Sequence, residues 1–185
     1  MARTPSNMIA LGTPAPKFSL PDPYDKIHTR ESVKGENGML VVFFCNHCPF
    51  VKHIREKFSE LASRYMDKGI GVVAINSNDF ESHPEDAPDK MAEAIVQYGY
   101  RFPYLIDESQ DAARKFGAAC TPDFYLYDHS NTLVYRGQFD DSRPGNDQPV
   151  TGDNLENALK ALIKGEEPVN DQKPSIGCNI KWKHK

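Results

Sequence analysis

The segment that decides the fold is Met39–Ile54, with the sequence MLVVFFCNHCPFVKHI. Its first six residues are a continuous run of apolar β-formers, which predicts a buried central strand over Met39–Phe44. Pro49 favours a helix start, because a proline in the first helical turn gives up no hydrogen bond. Cys45 and Cys48 therefore lie between the end of a buried strand and the first turn of a helix.

The rest of the chain alternates predicted strands and helices. Strands are predicted at 70–75, 104–106, 124–127 and 133–135, and helices from about residue 88, at 109–116 and at 153–164. This order predicts an α/β fold in which helices flank a central mixed β-sheet, with an antiparallel hairpin at its edge. Ser109 is expected to cap one helix, and Asp153 with Glu156 to form a capping box on the last one.

The 185 residues are expected to form one domain. We divide it into an N-terminal extension (residues 1–38, irregular apart from a short strand at Phe18–Leu20), a core (39–164) and a C-terminal tail (165–185). Ile180 and Trp182 are expected to pack the tail onto the core, because large apolar side chains are unfavourable in water.

Composition argues against several classes of partner. A net charge of −4 gives no reason to expect nucleic acid or an anionic membrane. The longest apolar stretch, 39–45, is too short to cross a bilayer, and the N-terminus lacks the apolar region of a secretory signal. We therefore expect a cytoplasmic protein that binds neither nucleic acid nor membranes.

The paired cysteines carry the strongest chemical signal. Two intervening residues in a helical turn bring the sulfurs of Cys45 and Cys48 close enough to bond. The unpaired N–H groups and the positive dipole end of a helix start stabilise a thiolate, which is the reactive form of cysteine. His47 can favour a Cys45 thiolate, or it can simply point to solvent.

A metal site is the alternative for these residues. The two cysteines and a histidine suit copper or zinc. However, no second CxxC and no HxxxH completes the four ligands of a closed zinc site. We therefore expect redox chemistry carried by sulfur, with no metal and no organic cofactor.

Three features together resemble the thioredoxin superfamily. They are the CxxC after a buried strand, Thr121-Pro122-Asp123 before a later strand, and an opening Ala15-Pro16-x-Phe18-x-Leu20. The opening is similar to that of the peroxiredoxin-like (AhpC/TSA-type) branch, and the likeness covers roughly residues 9–165. The closing segment 174–182, PSIGCNIKW, resembles the tail of a peroxiredoxin-like group that carries a CxxC.

The resemblance implies a thioredoxin-like fold and a role for each site residue. Cys45 matches the exposed attacking cysteine and Cys48 its resolving partner. Pro122 matches a cis-proline that faces the disulfide, which exposes the backbone of Thr121 for pairing with an extended substrate. The implied activity is thiol–disulfide oxidoreduction on protein or small-molecule disulfides, with a thiol reductant as the second partner.

The same resemblance offers a thiol peroxidase as a competing function. Cys48 and the proline after it match a peroxidatic Cys-Pro, and Cys45 would then resolve the oxidised sulfur. However, Cys45 occupies the place of a peroxiredoxin threonine or serine, and Val41 the place of a proline. Arg136 and Arg143 do not occupy the place of the activating arginine. Efficient reduction of peroxides is therefore not expected.

Cys120 and Cys178 are further redox candidates. Cys178 could accept the disulfide from Cys45 or Cys48, the two could bond to each other and fasten the tail, or both could be buried thiols without a role. Asp123 is a candidate for proton transfer at Cys48.

Overall fold

The computed structural model describes residues 3–167 and 169–183. The strands are β1 (Arg3–Pro5), β2 (Ser19–Pro21), β3 (Ile27–Thr29), β4 (Gly38–Phe43), β5 (Ile70–Asn76), β6 (Tyr104–Ile106), β7 (Cys120–Thr121), β8 (Asp123–Tyr127), β9 (Leu133–Gly137) and β10 (Ile176–Asn179). The helices are α1 (Arg30–Val33), α2 (Pro49–Met66), α3 (Pro88–Tyr98), α4 (Asp111–Phe116) and α5 (Asp153–Lys164), with a 3₁₀ turn at Pro84–Asp86.

A five-stranded sheet organises the molecule, in the order β6-β5-β4-β8-β9. β4, β5 and β6 are parallel, β8 pairs antiparallel with β4, and β9 pairs antiparallel with β8, so β8 and β9 form a hairpin. This is the predicted mixed sheet with an antiparallel hairpin at its edge. Alternate residues of β4 point to opposite faces, so Leu40 and Val42 enter one apolar core and Met39 and Val41 the other. The first core is closed by α2, α3 and α5, and the second by α4.

Helix α5 has the predicted bounds, but the predicted capping box is wrong. The N-cap is Gly152 in the left-handed conformation, and no side chain caps the helix. The carboxylate of Glu156 instead accepts hydrogen bonds from Arg64 and Tyr65. Asp140, which comes from the loop after β9, accepts the backbone N–H of Gly152 and so fixes the start of the helix.

The predicted cap of α4 is also replaced by a buried carboxylate. Gln110, not Ser109, is the N-cap, with a left-handed φ of 63°. Asp107 accepts the backbone N–H groups of Ala112 and Ala113, which are unpaired donors of the first turn. Asp107 thus pairs two N–H groups of the first turn, and the Ser109 hydroxyl accepts a third, from Asp111, at 3.3 Å.

The two ends of the chain are more regular than predicted. β2 and β3 form a hairpin, and β1, β10 and β7 form a separate three-stranded antiparallel sheet. Ile180 is fully buried, as predicted. Trp182 remains 39% exposed, with the guanidinium of Arg114 5.2 Å from its ring centroid. Within the described residues, no helix combines the length and the apolar character needed to cross a bilayer.

Candidate active site

Cys48 occupies the N-cap position of α2, with Pro49 as the first helical residue, as predicted. The Cys45 thiol acts as a hydrogen-bond donor to its sulfur, and it lowers the pKa of Cys48 to about 5 against the effect of burial. The sulfur of Cys178 and the backbone N–H groups of Val51 and Cys178 act in the same direction. A thiolate on Cys48 is therefore the favoured form at neutral pH.

The burial of Cys45 differs from the exposed position that the resemblance implied. Its side chain follows β4 and is 1% exposed, and Cys48 is 0% exposed, so neither cysteine of the pair is exposed. Burial raises the pKa of the Cys45 thiol well above its usual value, and the negative charges of Asp86 and Cys48 act in the same direction. The pair thus ionises in the reverse order, with Cys48 as thiolate and Cys45 as thiol.

Asp86 supports the residues between the two cysteines, and sequence analysis missed it inside a stretch treated as a polar loop. Its carboxylate is fully buried. It accepts the backbone N–H of Asn46 at 2.7 Å and of His47 at 3.3 Å, and it meets His47 Nδ1 at 2.6 Å. Burial would raise the pKa of Asp86, but the hydrogen bonds from His47 and Asn78 hold it below its usual value. Asp86 is therefore a buried anion that fixes the CxxC loop.

His47 does not point to solvent. Its hydrogen bond to Asp86 raises the pKa of the imidazole above its usual value, and the nearby Cys48 charge contributes to the same shift. The ring also stacks on His83, with 5.2 Å between the ring centroids. His47 is therefore held by Asp86, and a negative charge on Cys48 favours the protonated form of its ring.

The peptide bond between Thr121 and Pro122 is cis, as predicted. Both cysteines of the pair contact the residue before the proline. Thr121 Oγ1 lies 3.2 Å from Cys45 Sγ, and the Thr121 carbonyl oxygen lies 3.2 Å from Cys48 Sγ. The expectation that the Thr121 backbone is open to an extended substrate is wrong, because Thr121 is 2% exposed and pairs with Cys178 of β10.

The remaining two cysteines lie on the two paired strands, Cys178 on β10 and Cys120 on β7. Cys178 Sγ is 2.8 Å from Cys48 Sγ. The Cys120 thiol donates to the carbonyl oxygen of Pro122 at 3.6 Å, and burial raises its pKa. No disulfide joins any of the four cysteines, all of which lie in the described part of the chain.

Asp123 is buried beside Cys120. Burial raises the pKa of Asp123 to about 6. Its carboxylate accepts hydrogen bonds from the Tyr125 hydroxyl and the Ala119 N–H. These contacts do not support the predicted role in proton transfer at Cys48.

Cys45, His47 and Asp86 could be considered as ligands for a metal ion, because their ligand atoms lie within 4.8 Å of one another. However, the two oxygens of Asp86 already accept four hydrogen bonds, the fourth from Asn78. A carboxylate has about four lone-pair positions. A metal ion would have to displace these bonds, so the geometry fits a hydrogen-bonded support better than a metal centre.

Comparison with known proteins gives this site a context. Residues 11–136 match the model of the AhpC/TSA family. The chain is 24% identical to "Thiol-disulfide oxidoreductase ResA" of Bacillus thuringiensis over 124 residues. The aligned residues make up 67% of this chain and 67% of that protein. An uncharacterized conserved protein from Geobacillus kaustophilus superposes with a TM-score of 0.97 at 50% identity, over 100% of this chain and 98% of that one.

A third comparison concerns the fold alone. The thioredoxin domain of a thiol-disulfide oxidoreductase from Bacteroides vulgatus superposes with a TM-score of 0.64 at 17% identity. The match covers 84% of this chain and 99% of that one. It confirms the predicted thioredoxin-like fold.

Proposed function

Since the chain belongs to the AhpC/TSA family, we propose that it is a thiol–disulfide oxidoreductase in which Cys48 supplies the thiolate and Cys45 is its partner. The observation that carries this proposal is the position of Cys48 at the start of α2, where its pKa falls to about 5. A relative that bears the name of a thiol–disulfide oxidoreductase supports the class of reaction.

The order of steps follows from the charges of the pair. The Cys48 thiolate attacks one sulfur of a substrate disulfide, the substrate S–S bond breaks, and one substrate thiolate leaves. Cys48 is then neutral, so its charge no longer raises the pKa of Cys45. Cys45 loses its proton and attacks Cys48, and the second substrate thiolate leaves. Two electrons have passed to the substrate, and the enzyme holds a Cys45–Cys48 disulfide.

Access to the sulfurs restricts the substrate. Cys45, Cys48 and Cys178 are each no more than 2% exposed, and β10 brings the Cys178 sulfur within 2.8 Å of the Cys48 sulfur. A small-molecule disulfide needs less displacement of β10 than a folded protein does. The thiol reductant that restores the dithiol, and the cytoplasmic location, stay predictions.

The test is turnover of a small disulfide with a thiol reductant in excess. Cys48→Ser is expected to reduce the rate to that of the uncatalysed exchange, because serine forms no thiolate. Cys120→Ser is the matched control, since it removes a buried thiol of raised pKa, and it should leave the rate unchanged. Turnover that survives in Cys48→Ser would refute the proposal.

A thiol peroxidase with Cys48 as peroxidatic cysteine is a second candidate, favoured by the same lowered pKa. What counts against this candidate is that, in the described part of the chain, no arginine lies in position to activate a peroxide at Cys48. In residues 3–167 and 169–183, the hydrogen-bond partners of Cys48 include no arginine. Arg136 donates to the carbonyl oxygen of Ile9, and Arg143 to that of Asp140. Rapid peroxide consumption with a sulfenic acid at Cys48 would favour this candidate over disulfide exchange.

A further inference from the structure

β10 fills the place at which an extended peptide would pair beside the cis-proline. It runs antiparallel to β7, with Cys178 opposite Thr121 and Asn179 opposite Cys120. The Ser175 hydroxyl donates to the carbonyl oxygen of Pro122 at 2.6 Å. Adding a strand to a sheet edge is a general way to bind a peptide, and here the chain does it to itself.

Gly177 lets this strand approach closely. A Cβ atom at this position would lie 2.0 Å from the carbonyl oxygen of Thr121, which is far inside contact distance. Only glycine fits at position 177 without moving β10 away from β7, and Cys178 follows it directly. The result is that Cys178 Sγ lies 2.8 Å from Cys48 Sγ, against about 2.05 Å for a disulfide bond.

We propose that β10 is a built-in substrate strand and that Cys178 is a third catalytic cysteine, which exchanges with Cys48. This inference rests on the proposed function, because it requires Cys48 to form a mixed disulfide with substrate. It adds an oxidised state in which a Cys48–Cys178 bond joins β10 to the start of α2.

In this exchange Cys48 and Cys178 are oxidised and the substrate disulfide is reduced. Cys48 attacks the substrate disulfide and one substrate thiolate leaves. Cys178 gives its proton to solvent and attacks the Cys48 sulfur of the mixed disulfide, the bond from Cys48 to substrate breaks, and the second substrate thiolate leaves. The substrate has gained two electrons, and the two cysteines have lost them. Cys45 can then attack Cys48, which releases Cys178 and forms Cys45–Cys48 without net oxidation.

The test uses the full chain and oxidised glutathione as the small disulfide. In Cys45→Ser, we expect an intramolecular Cys48–Cys178 disulfide and release of both glutathione halves. In Cys45→Ser/Cys178→Ser, the reaction should stop with one glutathione on Cys48. The matched control, Cys45→Ser/Cys120→Ser, should behave like Cys45→Ser. Mass spectrometry of alkylated peptides identifies each product.

The outcomes separate the two proposals. Stable glutathione on Cys48 in Cys45→Ser, with Cys178 left reduced, would overturn the inference and leave the proposed function intact. No glutathione on Cys48 in any variant would overturn both. Gly177→Ala retains all four sulfurs, so it tests the strand itself. It should still take up glutathione on Cys48 but form the Cys48–Cys178 bond more slowly, and an unchanged rate would also overturn the inference.

Discussion

The lowered pKa of Cys48 means that this residue should contribute more to the stability of the folded protein as the pH rises above about 5. Cys48 has a pKa of about 5 in the folded state, against an ordinary value of 9.0. A thiol whose pKa is depressed by folding stabilises the folded state fully above its unfolded pKa. That contribution is lost as the pH falls through the folded pKa, so the sensitive window is pH 9 to pH 5.

The size of the effect follows from the two pKa values. Each pH unit between them changes the free energy of unfolding by about 1.4 kcal/mol. From pH 5 to pH 8, Cys48 should therefore add roughly 3–4 kcal/mol. Because Cys48 is 0% exposed, solvent screens this contribution little.

The assay is urea unfolding of the reduced wild type and of Cys48→Ser at pH 5 and at pH 8. Groups such as Asp86 and His47 titrate in both proteins, so their contributions largely cancel in the comparison. The gap in unfolding free energy should widen by roughly 3–4 kcal/mol at pH 8. Cys120→Ser should show no such widening, since its pKa is raised. A gap for Cys48→Ser that changes by less than about 1 kcal/mol would refute the reasoning.

Two other substitutions test the support of the site. Asp86→Asn removes the main cause of the raised His47 pKa, so the imidazole titration followed by NMR should move to lower pH, and stability should fall by about 3 kcal/mol at pH 7. The exposed Asp141→Asn should change neither quantity. Gly177→Ala pushes β10 away from β7, so the Cys48 pKa, followed by ultraviolet absorbance of the thiolate, should rise. An unchanged value would show that β10 does not stabilise the thiolate.

Local patterns predicted the central sheet well. The apolar run of β4 and the bounds of α5 could be identified because burial and helical periodicity are properties of neighbouring residues. The start of α5 could not be predicted in detail. Asp140 supplies the hydrogen bond to Gly152, and Asp140 is separated from the helix by a loop whose path the sequence does not show.

In the candidate site, too, the features set by neighbouring residues could be predicted, and those set by distant residues could not. Sequence analysis located Cys45 and Cys48 between strand and helix, but it expected the thiolate on Cys45, whereas the pKa shifts favour a thiolate on Cys48. These shifts depend first on burial and on the hydrogen bond within the pair, and then on Asp86 and Cys178, which lie 38 residues or more along the chain from the cysteine pair. Nothing in the local pattern of either segment distinguishes it from a surface loop or a tail.

β10 has two effects on Cys48 that oppose each other during binding. It covers the sulfur, and it also supplies the Cys178 sulfur and N–H that help to lower the Cys48 pKa. A buried thiolate without donors is costly, so a substrate that displaced β10 would meet a less ionised and less reactive sulfur. A substrate that shifts β10 only slightly meets a thiolate that keeps most of these donors, with Cys178 still close to it. The Cys48 thiolate is therefore most reactive while β10 stays close to it, and this favours small disulfides over extended polypeptides.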